Sequence, residues 1–249
     1  MPFLSEINIP SFNINDYPFN IPSIKNGVKL KLRNNVTFFV GENGSGKSTL
    51  LETVAETIGF SLRGGNKNHN LNIGSSFTGY ESQLTEQTKL VWTPKRLNNG
   101  FFMRAESFFN FADYIDEIAK EELNPEKFYE AYGGKSLHHQ SHGESFLSLF
   151  TNKFEKGIYI LDEPEAALSP ARILSFMTII NQLEKSGRAQ FLIATHSPML
   201  LCYPGADIFS FDEDGIQSVD YEATEHYTLT KNFLNNPDAY FRFLFNNDD

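Results

Sequence analysis

The chain has 249 residues, 40% of them apolar, which suits one sizeable α/β core and excludes a disordered chain. Its net charge of −10 gives no general pull toward nucleic acid or an anionic membrane, and its single cysteine, Cys202, excludes a disulfide framework within the chain. No apolar run reaches the ~18 residues of a membrane span, and the first residues lack the blocks of a signal peptide, so a cytoplasmic location with no direct membrane insertion is expected.

In chain order, residues 1–35 predict short β pieces. Pro10, Pro18 and Pro22 exclude a long helix there, and Phe12, Ile14, Tyr17 and Phe19 fit a small antiparallel sheet. Tyr17 or Phe19 can stack on a nucleotide base, with simple packing the alternative for either. Val36-Thr37-Phe38-Phe39-Val40 is β-branched and aromatic and reads as a buried strand. It runs into Gly41-Glu42-Asn43-Gly44-Ser45-Gly46-Lys47-Ser48, which fits the pattern G-x-x-x-x-G-K-[ST]. Leu50, Leu51, Val54, Ala55 and Ile58 then fall at helical spacing, and Gly59 can close the helix.

Strand, glycine-rich turn and helix together form a phosphate-binding context. Glycines let the backbone wrap closely, so that successive N–H groups and the helix N-terminus point at phosphate oxygens. Lys47 can reach the β- and γ-phosphates and Ser48 can hold Mg²⁺. The expected nucleotide-binding residues are Gly41, Glu42, Asn43, Gly44, Ser45, Gly46, Lys47, Ser48 and Thr49.

Residues 60–80, rich in Gly, Asn and Ser, read as a surface loop. Lys89–Trp92 and Gly100–Glu106 read as strands. A helix is expected from Ser107, with Phe108, Phe111, Ala112, Ile115, Ile118 and Ala119 on one face, and a shorter helical piece over 125–132. Residues 144–154 read as a further helix, with Phe146, Leu147, Leu149, Phe150 and Phe154 inward. The clearest strand is Ile158-Tyr159-Ile160-Leu161, which ends in Asp162-Glu163. Ser169-Pro170 starts a helix with Ile173, Phe176, Met177, Ile180 and Leu183 on its apolar face. Gln190–Thr195 is the next strand, ending at His196. A hairpin over 208–219 and two helical pieces over 223–245, broken at Asn236-Pro237, complete the chain. The 24 phenylalanines suit a large core, a contact face, or both.

Strand ends are where α/β sheets bind ligands. There Asp162 can hold Mg²⁺, and Glu163 can accept a proton from attacking water. His196 can hydrogen-bond a γ-phosphate oxygen or orient that water.

On these residues the chain resembles the ATP-binding-cassette (ABC) class of P-loop ATPases, and within it the small soluble AAA-type ATPases related to the SMC and RecF branch. Gly41–Ser48 matches the Walker A loop and Ile158–Glu163 the Walker B strand with its catalytic glutamate. Ser141-His142-Gly143-Glu144-Ser145 stands where the signature motif belongs, and His196 where the switch histidine does.

The resemblance implies an α/β fold with a central sheet flanked by helices. A single ATPase domain over 1–249 would include an N-terminal antiparallel β piece at 1–35 and a helical subdomain at 107–140. It implies Mg²⁺-dependent ATP hydrolysis, with Lys47, Glu163 and His196 as catalytic residues and Ser48 and Asp162 as metal ligands. It also implies an ATP-dependent homodimer in which Ser141, Gly143 and Glu144 meet the γ-phosphate held by the other subunit. Glu165-Ala166-Ala167-Leu168 lies where the family has its dimer-crossing D-loop. Glu106, with Arg104 as alternative and Gln83 and Gln87 behind it, falls near the Q-loop position, where it would serve as a metal or water ligand.

The signature departs from the family pattern in Gln140 and in His142, which either points away or adds a donor to the γ-phosphate. For output, the resemblance implies coupling to a nucleic-acid or effector-protein partner of a repair or defence type. The alternatives are the nucleotide-binding subunit of a membrane transporter and a slow nucleotide-gated scaffold.

Overall fold

The computed structural model describes residues 1–62, 79–94, 99–105, 108–121, 124–130, 132–136, 142–153 and 156–245. From the N-terminus run β1 (Leu4–Ile9), the single-turn α1 (Pro22–Lys25), β2 (Val28–Lys31), β3 (Val36–Gly41) and α2 (Lys47–Ile58). The middle of the chain supplies α3 (Gly79–Gln87), β4 (Lys89–Trp92), β5 (Gly100–Arg104), α4 (Phe108–Glu121), α5 (Pro125–Glu130) and α6 (His142–Lys153). Then come β6 (Gly157–Asp162), α7 (Pro170–Lys185), β7 (Ala189–Ala194), α8 (Pro198–Leu201), β8 (Asp207–Asp212) and β9 (Gly215–Ser218). The helices α9 (Glu225–Asn235) and α10 (Pro237–Phe245) follow, separated at Asn236.

The strands form two sheets. A six-stranded sheet has the order β5-β6-β7-β3-β8-β9, parallel throughout except for the edge strand β9. Every residue of β6 and β7 is buried, as expected of central parallel strands covered on both faces. A smaller antiparallel sheet has the order β2-β1-β4. The predicted N-terminal antiparallel sheet is therefore present, with β1 and β2 inside residues 1–35, but Phe12, Ile14, Tyr17 and Phe19 are not among its strand residues. Phe12 to Phe19 lie in a connecting segment, and its third strand comes from Lys89–Trp92, far along the chain.

Alternation along β3 sends its side chains into two cores. Val36, Phe38 and Val40 join the layer built with α4, α6 and α7, where Phe108, Phe146, Phe150 and Phe176 are buried. Phe39 faces the other layer, with Leu50, Leu51, Val54 and Ile58 of α2 and the inner residues of the antiparallel sheet. Gln190, fully buried in β7, joins the sheets: its Oε1 accepts from the Phe3 and Leu4 N–H groups at 2.9 and 2.8 Å, and its Nε2 donates to the Leu4 carbonyl at 2.8 Å. Such a buried amide stabilises only because its hydrogen bonds are made.

Most of the phenylalanines described are core, whereas Phe243 and Phe245 on α10 are exposed. Ser169 occupies the first cap of α7, but its hydroxyl makes no capping bond; Pro170 at the first turn supplies the start. Among the described residues, no helix is long and apolar enough to cross a membrane.

Candidate nucleotide-binding and catalytic site

The sheet order brings three chemistry-bearing strand ends side by side. β7 lies between β6 and β3, and the register pairs Ala194 with Asp162 on one side and with Phe39 on the other. Two backbone bonds extend this alignment past the ladder: Glu163 N–H donates to the Ala194 carbonyl at 2.9 Å, and Thr195 N–H to the Phe39 carbonyl at 3.0 Å. The phosphate loop after β3, Asp162-Glu163 after β6 and His196 after β7 therefore share the carboxyl edge of the sheet.

The loop closes as its glycines allow. Gly44 and Gly46 adopt left-handed φ values of 80° and 102°, and a Cβ on Gly46 would lie 2.7 Å from Ser23 Oγ and 2.8 Å from Ile21 Cγ2. Lys47 begins α2 and is almost wholly buried, its ammonium donating to the carbonyls of Gly41 at 2.7 Å and Glu42 at 2.9 Å. Burial lowers its pKa, while the carboxylates of Glu163, Asp162, Glu42 and Glu165 act the other way.

Asp162, at the end of β6, is buried, and its two oxygens have different partners. Oδ1 accepts from the Ser48 hydroxyl at 3.2 Å, and Oδ2 from Arg104 Nε at 2.9 Å. Arg104 also bridges to Glu52 of α2. A pocket of about 170 Å³ opens here, lined by Ser48, Arg104, Ala105, Asp162, Glu163 and Ala166. Mg²⁺ is bound through one or two protein oxygens plus substrate phosphates and water. The hydrogen-bonded Ser48–Asp162 pair of hard oxygen donors beside this pocket fits that requirement.

Glu163 has φ 52° and ψ 50°, the only non-glycine residue with a positive φ among those described. The left-handed turn swings its carboxylate to within 3.4 Å of His196 Nε2. A strained backbone at such a position costs about 1–3 kcal/mol and persists only where its surroundings over-determine it. Here the surroundings include Glu165, in the single 3₁₀ turn that follows. Its Oε1 accepts from the Thr195 hydroxyl at 2.7 Å and from His196 N–H at 2.6 Å. Burial raises the Glu165 pKa against the effect of these bonds.

Glu165 thus faces inward and ties the turn after β6 to the turn after β7. The family resemblance implied a place for it in the dimer-crossing segment and did not disclose this contact. A second contact invisible to the motifs is His226 of α9, whose Nε2 lies 2.8 Å from His196 Nδ1.

Three comparisons bear on this geometry. A family model described as "AAA domain, putative AbiEii toxin, Type IV TA system" matches residues 145–201. The energy-coupling factor transporter ATP-binding protein EcfA2 of Streptococcus agalactiae is 29% identical over 187 residues, covering 68% of this chain and 64% of the relative. The tungstate uptake system ATP-binding protein TupC of Campylobacter jejuni is 28% identical over 173 residues, covering 67% and 50%. The chain thus spans about half to two thirds of the length of these relatives.

Two solved structures share the fold, each with a TM-score of 0.50. A metal-chelate type ABC transporter in an inward-facing conformation matches 91% of this chain and 88% of its own at 14% identity. An SMC head bound to the C-terminal winged-helix domain of ScpA matches 88% and 98% at 15% identity.

The chain is similar in sequence to ATP-binding proteins of ABC transporters and shares its fold with ABC cassettes and SMC heads. In this chain the Thr49 hydroxyl, just after the glycine-rich loop, is 3.3 Å from the hydroxyl of Tyr17. Tyr17 is half exposed, whereas Phe19 is buried against Phe12, so of the two candidate base-stacking aromatics only Tyr17 is accessible. Glu42, Asn43, Gly44 and Ser45 line a separate cleft of about 400 Å³ together with Phe211, Asp212 and His226.

Gly143 sits in the first turn of α6, buried under Arg172 of α7; a Cβ there would meet Arg172 Cδ at 2.6 Å and the Ala167 carbonyl at 3.2 Å. Glu144 is exposed and pairs with Arg172 at 3.3 Å. Ser141 and Glu106, the expected signature serine and Q-loop ligand, lie outside the described residues. Arg104, the alternative at the Q-loop position, is the residue found against the Asp162 carboxylate.

Proposed function

We propose that the chain binds ATP with Mg²⁺ and hydrolyses it to ADP and phosphate. The observation that carries this reading is the alignment of Lys47, Asp162-Glu163 and His196 on three neighbouring strand ends. The phosphate-loop amides and Lys47 hold the phosphate chain. Ser48 and Asp162 hold the metal ion, which when bound neutralises phosphate charge. Glu163 accepts a proton from the water that attacks the γ-phosphorus, and His196 donates to a γ-phosphate oxygen. Tyr17, exposed beside Thr49, stacks on the base.

Two copies assemble head to tail around the nucleotides, each completing the other's site with Gly143 and the residues before it. For output, the relatives named as transporter ATP-binding proteins favour the nucleotide-binding subunit of a membrane transporter over coupling to nucleic acid or an effector. The family-model description, which mentions a toxin of a toxin–antitoxin type, is what favours the effector reading.

The test is the solution mass of Glu163→Gln with and without ATP–Mg²⁺, alongside its turnover. A shift from monomer to dimer with slowed hydrolysis is expected. Undiminished turnover removes Glu163 as the base, and an unchanged mass with ATP bound removes the two-copy sandwich. Recovery of the chain in a membrane fraction of its own cells supports transport. Recovery away from membranes, with hydrolysis stimulated by double-stranded DNA, supports the nucleic-acid reading.

A further inference from the structure

His226 belongs to none of the nucleotide motifs, and it lies 30 residues beyond His196 in sequence. The fold nevertheless packs α9 on α8, directly after the turn that carries His196, and so brings the two rings together. Their centroids are 4.9 Å apart and their planes inclined by 50°, an arrangement set by the 2.8 Å nitrogen–nitrogen contact and not by stacking. The other nitrogen of His196, Nε2, is buried, has no hydrogen-bond partner and points toward Glu163 Oε1 at 3.4 Å. Three side chains from three separate elements thus stand in line: Glu163, His196, His226.

Two ring nitrogens 2.8 Å apart require one proton between them, and there are two ways to place it. With the proton on His196 Nδ1, a neutral His196 presents its Nε2 lone pair to the Glu163 carboxylate, so that two acceptors face each other. With the proton on His226 Nε2, His196 Nδ1 accepts and His196 Nε2–H points toward the carboxylate. Among the neutral forms of His196, only the second arrangement gives every facing pair one donor and one acceptor. A hydrogen bond at one ring nitrogen of a histidine sets the protonation of the other.

We propose that His226 is a positioning residue that holds His196 in its Nε2–H form. That form can donate to a γ-phosphate oxygen or to the water beside Glu163, so the inference rests on the ATPase reading above. His226 acts through His196, not on the substrate. The same bond fixes the ring plane of His196, whose backbone N–H is held by Glu165.

The experiment joins ring-nitrogen NMR with kinetics. In the nucleotide-free wild-type chain, at about pH 8, where an ordinary histidine is neutral, His196 should show a protonated Nε2 and an unprotonated Nδ1. His196→Gln assigns the signals. The reverse assignment overturns the proposal without any variant of His226. In ATP hydrolysis, His226→Leu should lower kcat about tenfold, roughly the effect of one lost hydrogen bond, with the KM for ATP within about twofold.

His226→Gln, whose amide N–H reaches toward the same point, should restore most of kcat. In a His196→Gln background, His226→Leu should cost nothing further. An unchanged kcat in His226→Leu, or a loss that adds to that of His196→Gln, overturns the proposal. A wild-type chain that binds ATP–Mg²⁺ but never hydrolyses it overturns the ATPase reading instead; the ring-nitrogen assignment then still decides whether His226 sets the tautomer.

Discussion

Arg104 donates its Nε–H to Asp162 Oδ2 at 2.9 Å, while Asp162 Oδ1 accepts from Ser48 at 3.2 Å. One carboxylate is thereby divided: the Arg104 guanidinium holds one oxygen, and the other is aimed at the Ser48 hydroxyl in the first turn of α2. Parallel pairing of β5 with β6 sets this up, because it places Arg104 opposite Asp162. In Arg104→Ala the buried carboxylate loses that partner, and unfolding free energy should fall by about 2 kcal/mol. Saturating ATP–Mg²⁺ should recover part of the loss, since binding to the native state stabilises it. Thermal melts with and without ATP–Mg²⁺ check both; an unaltered melting temperature without nucleotide removes the role.

Lys47→Ala removes a buried ammonium whose pKa is lowered by desolvation. Hydrolysis should disappear and affinity for ATP fall at least about tenfold, the effect of losing a charge-assisted contact to phosphate. Stability should change by no more than about 2 kcal/mol, because relief of a buried charge is offset by the loss of its bonds to the Gly41 and Glu42 carbonyls. Fluorescent-nucleotide titration and chemical denaturation measure the two effects separately.

Glu163→Gly offers a test of stored backbone strain. At φ 52° a glycine carries no Cβ penalty, so the substitution should stabilise the chain by about 1 kcal/mol while abolishing turnover. A destabilised Glu163→Gly protein with normal nucleotide binding shows that the left-handed turn holds no strain.

Glu165 predicts a contrast between two substitutions. Glu165→Gln retains an oxygen for Thr195 and His196 and leaves stability within about 1 kcal/mol of the wild type. Glu165→Ala strips both donors of their acceptor and should cost about 2 kcal/mol together with most of the activity. The pH dependence carries the same information. Because burial raises the folded-state pKa above its ordinary value of 4.5, the folded chain holds a proton that the unfolded chain has released. That contribution is full below 4.5 and is lost as pH rises through the folded-state value. Stability curves of wild type and Glu165→Gln across this window should diverge as pH rises, with the wild type losing more.

The parts legible in the sequence were those written into contiguous residues. Gly44 and Gly46 announce a tight turn because glycine adopts its left-handed backbone without a Cβ penalty, and the apolar runs before Asp162 and His196 announce buried parallel strands. The break at Asn236-Pro237 was legible for the same local reason. The antiparallel sheet was misdrawn at Phe12 to Phe19, since strand pairing joins segments that local pattern does not connect; β4 reaches β1 from more than eighty positions away.

Sequence by itself determined the local parts of the candidate site: which residues form the glycine-rich loop before α2, which carboxylates end a strand, and which histidine follows the next. Tertiary structure alone decided how those residues are held. Arg104 reaches Asp162 because β5 and β6 are neighbours, Glu165 grips His196 because β6 and β7 are, and His226 arrives because α9 folds back onto α8. Each of these bonds joins residues about 30 or more positions apart, and no spacing rule along one chain encodes a contact made by the order of strands in a sheet.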